Sequence, residues 1–217
     1  MEHVNFRPWV GKNYLSQGYK GKHILVLGES HYCPYLKEGE ICYPLCTREK
    51  MQDDCLSQTE DVINDFVYSY TGEAYEQTFL CFERSIIGKE ATQEEREEFW
   101  HGVLFYNYIQ FNLEGPRKPI KLEYLVESEL AFKDLLEEYM PDCIIIWGKK
   151  LYSKLPNWEG EHSILQISEN DSTDILTYTI QGKKIPALLV HHPSSPTGKS
   201  WPYWHEVYEK FWKLYLK

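Results

Sequence analysis

The sequence predicts an α/β protein: a three-layer sandwich in which helices cover both faces of a central, mainly parallel, four-stranded sheet. Three observations indicate this fold. Four short apolar runs, rich in branched or aromatic side chains, show no polar alternation, which is typical of strands buried on both faces. Helical patterns separate these runs along the chain. Each run stops abruptly at a glycine or a polar residue.

The strands are predicted where these apolar runs lie. In order they are Ile24–Leu27 before Gly28-Glu29-Ser30, Val103–Tyr106 before Asn107, Cys143–Trp147 before Gly148, and Ala187–Val190 before His191-His192. Ligands of open parallel sheets bind outside the carboxyl ends of the strands. We therefore expect Ser30, Asn107, Lys149 and His192 to converge on one crevice.

Helices are predicted between the strands. Ser57–Glu60 and Thr92–Glu95 each read as a capping box ahead of apolar residues. Leucines near helical spacing predict a further helix over 130–139, which Pro141 closes. A last helix is predicted to begin near Pro202, because proline suits the first helical position.

Composition describes a globular chain and excludes disordered and fibrous classes. The 217 residues are 26% charged and 42% hydrophobic, and they predict a single domain over 1–217. No window approaches the roughly 18 apolar residues of a membrane span. We expect a cytoplasmic monomer with no membrane partner.

Charge argues against a protein that coats nucleic acid by bulk electrostatics, because the net charge is -10. Any nucleic-acid contact must be local. The segments 148–157 and 182–204 contain lysines and no Asp or Glu. The heavy aromatic content fits a large core and a base-stacking pocket equally well.

A cysteine-rich insertion is predicted at about 33–55. Cys33, Cys42, Cys46 and Cys55 fall within 23 residues. In a cytoplasmic setting such a cluster favours metal over disulfides, as a structural zinc site or an iron-sulfur cluster. Free thiols are the alternative. No cofactor is required for the predicted chemistry.

Four segments, each at the end of a predicted strand, together resemble the uracil-DNA glycosylase superfamily over roughly residues 20–216. Gly28-Glu29-Ser30-His31-Tyr32 is similar to the family's first motif, and Phe105-Tyr106-Asn107 resembles the strand that ends in the base-reading Asn. Ile145–Lys150 resembles the third strand with its Gly-Lys turn. His192-Pro193-Ser194-Ser195-Pro196 is similar to the His-Pro-Ser-Pro motif.

The resemblance implies roles for these residues. Asn107 would read the base edge, with Gly28, His31 and Tyr32 beside it, and His192 would stabilise the departing base. Ser194, Ser195 and Lys149 would contact the DNA phosphates. From the residues alone, Asn107 also suits a turn or a cap, Tyr32 suits a core, and either His191 or His192 suits a core position.

The first motif departs from the family at two positions. Ser30 stands where the best-known branch has an Asp that orients the attacking water, and losing a general base costs about 10² to 10⁴ in rate. His31 replaces a proline and offers a base, a metal ligand or a solvated side chain. Glu29 is the nearest carboxylate, so we assign catalysis to His192, Ser30 and Glu29.

Two functions follow from this reading. The first is a DNA glycosylase-like enzyme that hydrolyses the N-glycosidic bond of a flipped uracil or other damaged base. The second is a non-catalytic module of the same fold that binds a nucleobase, a nucleic acid or a protein partner. Ser30 and the acidic net charge favour the second.

Overall fold

The computed structural model describes residues 1–32, 47–113, 115, 119–195 and 199–216. The strands within these residues are β1 (Trp9–Val10), β2 (Ile24–Gly28), β3 (Val103–Asn107), β4 (Cys143–Trp147), β5 (Glu161–Ser168), β6 (Asp171–Ile180) and β7 (Lys183–Val190). The helices are α1 (Asp53–Leu56), α2 (Gln58–Tyr68), α3 (Glu76–Ile87), α4 (Gln93–His101), α5 (Leu122–Tyr139), α6 (Lys149–Tyr152) and α7 (Trp201–Tyr215), and a short 3-10 turn spans Arg48–Lys50.

The α/β class is confirmed, but the predicted four-stranded sheet is wrong in size. The sheet has seven strands among the described residues, in the order β1-β3-β2-β4-β7-β6-β5. The four predicted strands pair in parallel at its centre, while β1, β6 and β5 add antiparallel pairs at the two sides. The sheet is therefore mixed.

The missed strands lack the pattern that identified the others. β5 and β6 form a hairpin in which β5 is largely exposed and β6 mixes buried with exposed residues, with polar side chains along much of each strand. No continuous apolar run marks them, because their buried residues are interrupted by exposed polar ones. β1 has two residues, too few for any periodicity.

Two hydrophobic cores lie on opposite faces of the parallel strands. Odd and even positions of a strand point to opposite faces. Val26, Phe105 and Trp147 belong to the core that contains α2, α3, α4 and α7 side chains. Leu27 and Ile146 belong to the core on the other face, which α5 and α6 cover. Helices therefore lie on both sides of the sheet.

The helix predictions have mixed outcomes. The capping box at Thr92 is confirmed, with reciprocal bonds between Thr92 and Glu95. The box predicted at Ser57 is wrong, because the Ser57 hydroxyl donates instead to the Asp61 carboxylate, 2.7 Å away. α7 begins at Trp201 with Pro202 in its first turn, as predicted.

Candidate functional site

The ends of the parallel strands lie side by side at one edge of the sheet. Gly28 pairs with Asn107 across β2 and β3, and Trp147 pairs with Val190 across β4 and β7. Adjacent strands are about 4.8 Å apart, so three steps put β3 and β7 about 14 Å apart. Asn107 and the residues after Val190 therefore flank one stretch of edge, with Gly28 and Trp147 between them.

Asn107 lies against Gly28, and this contact requires a glycine. A Cβ added to Gly28 would stand 2.2 Å from Asn107 Oδ1 and 3.2 Å from the Phe105 ring. The Asn107 amide therefore occupies the space that any larger residue at position 28 would fill. The side chain is half-buried, at the end of a strand whose other residues are buried.

His31 is buried beside the Asn107 amide. Asn107 Nδ2 lies 3.3 Å from each ring nitrogen of His31, and the Thr59 hydroxyl of α2 lies 2.9 Å from Nε2. The edge of the Phe6 ring packs on the imidazole at 4.5 Å. Burial lowers the pKa of His31 to about 3, so the ring is neutral near pH 7. A ring with so low a pKa is a poor general base, and His31 is not a solvated side chain.

The loop after β2 is held by backbone bonds to the segment after β3. Tyr108 and Ile109 donate their amides to the carbonyls of Gly28 and Glu29, both at 2.9 Å, and a further amide donates to the His31 carbonyl. These bonds place the first motif directly alongside the end of β3.

The buried side chain of Gln110 joins these segments through hydrogen bonds. Its side chain is fully buried; it donates to the Asn107 carbonyl at 2.8 Å and accepts from the amides of Asn5 and Phe6. The N-terminal segment, the loop after β2 and the end of β3 therefore form one hydrogen-bonded unit.

His192 packs at the end of β7, next to β4. Its ring meets the Trp147 indole edge-on, and Gly148, at φ +94°, leaves room for it: an added Cβ there would lie 3.3 Å from His192 Cβ. The ring is reached by solvent, yet the surrounding protein atoms desolvate it enough to lower its pKa, with the Glu29 charge opposing that shift. His192 is thus neutral at pH 7.

The hydrogen bonds of His192 define where its proton sits. The Ser194 backbone amide lies 3.4 Å from Nδ1, and the Ser194 hydroxyl lies 2.9 Å from the same atom. Because an amide N–H only donates, Nδ1 must accept, and the proton of the neutral ring is on Nε2. Nε2–H is therefore available as a donor.

His191 points elsewhere. Its ring packs against Trp204 of α7 at 5.2 Å. Of the two histidines, the one that contacts Trp147 and Gly148 at the strand ends is His192.

Glu29 is held as a carboxylate by two lysines of the chain after β4. Lys154 donates to it at 2.7 Å and Lys150 at 3.1 Å. Burial acts to raise the pKa of Glu29, but the two lysines outweigh it and the pKa is lowered. A lower pKa makes a weaker base, so this pairing suits an electrostatic role better than proton abstraction from water.

Ser30 has a buried hydroxyl with no hydrogen-bond partner among the described residues. The indole N–H of Trp147, at the end of β4, is likewise buried and without a partner there. Six other described residues also have a buried polar atom without a partner, so these two do not by themselves mark the edge as a binding site.

Tyr32 is not a core residue, because its side chain is 43% exposed. Its backbone is fixed by a bridge to Leu113 and by a bond from the Gln58 side chain to its carbonyl. The aromatic ring therefore stands at the surface, at the end of the first motif.

The predicted phosphate contacts lie next to His192. Ser195 closes the turn after His192 through a backbone bond of 2.8 Å, and Ser194 contacts the imidazole. Lys149 is exposed at the start of α6. Lys199 pairs with Asp171, which leaves it less free to bind an anion.

The predicted metal cluster falls mostly outside the described residues. Cys33, Cys42 and Cys46 lie there, and Cys55 in α1 is a free, partly buried thiol. No group of three or more metal-binding side chains occurs in the described ranges. Zinc or iron-sulfur binding by the four cysteines stays a prediction.

Several residues of the site were missed by sequence reasoning. Lys154 lies just after α6, four residues after Lys150, in a lysine-containing segment that has no acidic residue. Thr59 and Gln110 carried no such signal, and Trp147 was predicted only as part of the third strand and its motif. Their roles arise from contacts between segments distant in sequence.

Neither the scan of protein-family models nor the search of curated proteins returned a match to this chain. Among the described residues, no helix has the length and apolar character needed to cross a bilayer.

Proposed function

We propose that this chain has a uracil-DNA glycosylase-like fold and hydrolyses the N-glycosidic bond of a flipped uracil or other damaged base in DNA. The observation that carries the proposal is the pair formed by Asn107 and His192. Both stand at the carboxyl edge of the parallel strands, each with free hydrogen-bonding capacity, and a side-chain-free Gly28 lies between them.

Asn107 supplies base recognition. A glycosylase spends a few kcal/mol to unstack its target and recovers this by stacking and by hydrogen bonds to the base edge. The Asn107 amide offers one acceptor and two donors, which suits a pyrimidine carbonyl next to a ring N–H. The exposed ring of Tyr32 provides an apolar face at the same loop.

His192 supplies stabilisation of the leaving group. When the C1'–N bond breaks, its electron pair leaves with the base and a base carbonyl gains negative charge. The Nε2–H of neutral His192 donates to that oxygen, and such charge-directed donors are usually large terms. Water then adds its hydroxyl to C1', and its remaining proton ends on the released base after exchange with solvent.

Local positive charge supports DNA binding by a protein with a net charge of -10. Lys150 and Lys154 carry two positive charges beside the single carboxylate of Glu29, and Lys149 is an exposed neighbour in sequence. The excess is positive at the edge where the phosphates flanking a flipped base would lie.

The test is a base-release assay with purified protein on single- and double-stranded oligonucleotides that contain uracil, hypoxanthine or xanthine. We expect excision by the wild type and a loss of about 10² to 10³ in rate for His192→Ala, the range seen when one such donor is removed. His191→Ala is the matched control and should stay within a few-fold of wild type. Absence of release from every substrate would reject the enzyme.

A non-catalytic base-binding module is the second candidate. The lowered pKa of Glu29 favours it, as does a serine at position 30, because neither residue is an effective base. Oligonucleotide binding that His192→Ala weakens, with no base release by the wild type, would decide for this module.

A further inference from the structure

The outermost strand, β5, leaves one edge of the sheet open. Among the described residues it pairs only with β6, and most of its own residues are exposed. An edge strand presents a row of unpaired N–H and C=O groups that can bond a further strand. We infer that this edge pairs with β5 of a second copy of the chain, in a dimer with twofold symmetry. The inference does not depend on the proposed function, and it departs from the monomer expected from the sequence.

β5 has few of the features that keep exposed edges from pairing. Natural edge strands are protected by lysines, prolines, bulges or inward-pointing charges. Residues 163–168 include no charged residue and no proline, and Ile164 among them is 62% exposed. A register shift near Gln166 and the Lys210 ammonium, 3.4 Å from the Ile167 carbonyl, cover only the carboxyl end of the strand. Most of the edge is therefore unprotected.

The side chains of β5 alternate between the two faces of the sheet. Ser163 lies opposite Ile175, and both Leu165 and Ile175 belong to the core that contains α7 side chains. Glu161 shares the face of Ser163 and Leu165, because residues two apart in a strand point to the same side. Ile164 therefore points to the opposite face, away from α7.

A twofold axis through Ile164 gives an antiparallel register that sets no like charges opposite each other. Moving the axis to Leu165 would bring Glu161 opposite Glu169, just beyond the strand, and like charges directly opposite destabilise a sheet. Moving it to Ser163 would shorten the paired stretch to residues 161–165. With the axis at Ile164, each residue meets one that points to the same face, and the pairs are Glu161 with Ile167, His162 with Gln166, Ser163 with Leu165, and Ile164 with its own copy.

Charge complementarity favours a second copy as the occupant of this edge. In this register Glu161 of one copy lies opposite Ile167 of the other, whose carbonyl is within 3.4 Å of the exposed Lys210 ammonium. The Glu161 side chain is 66% exposed and points to the face on which α7 packs. One of its oxygens bonds Lys184 of its own chain, which leaves the other for Lys210 of the second copy. The dimer therefore contains this ion pair twice, with the two Ile164 side chains between them.

The first test is sedimentation velocity of the full chain from low micromolar to several hundred micromolar. One strand pair is a small interface, so we expect wild type to approach the mass of a dimer only as the concentration rises. Ile164→Lys should stay monomeric, because two lysines would meet at the axis. The matched control is Val126→Lys, which changes an exposed apolar residue of α5 in the same way and should dimerise like wild type. A wild type that is monomeric throughout, or a dimer that Ile164→Lys leaves intact, overturns the inference.

The second test exchanges charges at the surface and leaves the apolar residues of β5 in place. Glu161→Lys and Lys210→Glu should each raise the dissociation constant of the dimer about tenfold, because each dimer contains the pair twice. The double variant Glu161→Lys, Lys210→Glu restores opposite charges and should return to within a few-fold of wild type. A double variant that dimerises as weakly as the single ones overturns the inference.

Discussion

The Glu83 carboxylate and the Ser30 hydroxyl are both shielded from water, yet only the first has hydrogen-bond partners. Both oxygens of Glu83 accept bonds from Arg96, and one also accepts from the Trp100 indole. Arg96 is in turn stacked over Phe66, 4.6 Å from the ring centre. Ser30 has no partner among the described residues.

The difference is between a buried group that the fold satisfies and one that it leaves without a partner. Glu83 joins α3 to α4, and a buried charge is tolerated there because every oxygen is paired. Eight described residues, Ser30 among them, have a buried polar atom without a partner.

The largest expected effect is a loss of stability when the buried ion pair of Arg96 and Glu83 is broken. Arg96→Met leaves the buried Glu83 carboxylate without its cation and should lower the free energy of unfolding by about 3 to 5 kcal/mol. The matched control is Arg7→Met, which breaks the exposed pair with Glu60 and should cost about 0 to 1 kcal/mol. Urea unfolding at pH 7.5 measures both. Similar losses in the two variants would contradict the role given to burial.

Acid should lower the stability of the protein through protonation of His31 in the unfolded state. The pKa of His31 is 6.5 in the unfolded chain and about 3 when buried, so only the unfolded state takes up its proton between these values. The stabilising contribution of neutral His31 is complete above pH 6.5 and is lost as the pH falls towards 3, by up to about 1.4 kcal/mol per pH unit.

The measurement is the difference in unfolding free energy between pH 7.5 and pH 5. We expect His31→Asn to lose about 2 kcal/mol less than wild type over this interval, because the proton-binding difference at residue 31 is removed. His162→Asn, at an exposed position of β5, should behave as wild type. Equal acid sensitivity in all three proteins would show that His31 is not buried as a neutral ring.

The smallest expected effect is that of Ser30→Ala, and Ser128→Ala provides the comparison. Ser128 accepts from the Gln110 amide and donates to the Tyr124 carbonyl, so Ser128→Ala should cost about 1 to 3 kcal/mol. Ser30→Ala removes an unpaired hydroxyl and should change stability by no more than about 0.5 kcal/mol or raise it slightly. Thermal unfolding of both variants is the check. An equal loss of stability in both variants would contradict the distinction between the paired hydroxyl of Ser128 and the unpaired hydroxyl of Ser30.

The sequence pattern predicted the residues at the strand ends but not the residues that hold the neighbouring segments by hydrogen bonds. Gly28, Asn107 and His192 each follow a continuous apolar run, and that pattern survives in a single sequence. Thr59 and Gln110 act on residues 28 and 105 positions away along the chain, through bonds to His31 and Asn5. No spacing rule connects such positions, because the fold brings them together.

The parallel centre of the sheet was determined by the sequence itself, since strands buried on both faces must be apolar throughout and their ends then mark one edge. The hairpin of β5 and β6 was decided only by tertiary structure: its strands are half-exposed and are stabilised by pairing with β7 more than by their own pattern. The protonation state of His31 was likewise decided by the tertiary structure. A sequence shows a histidine at position 31, but only burial against Phe6, Thr59 and Asn107 makes it neutral, because removing water penalises the charged ring.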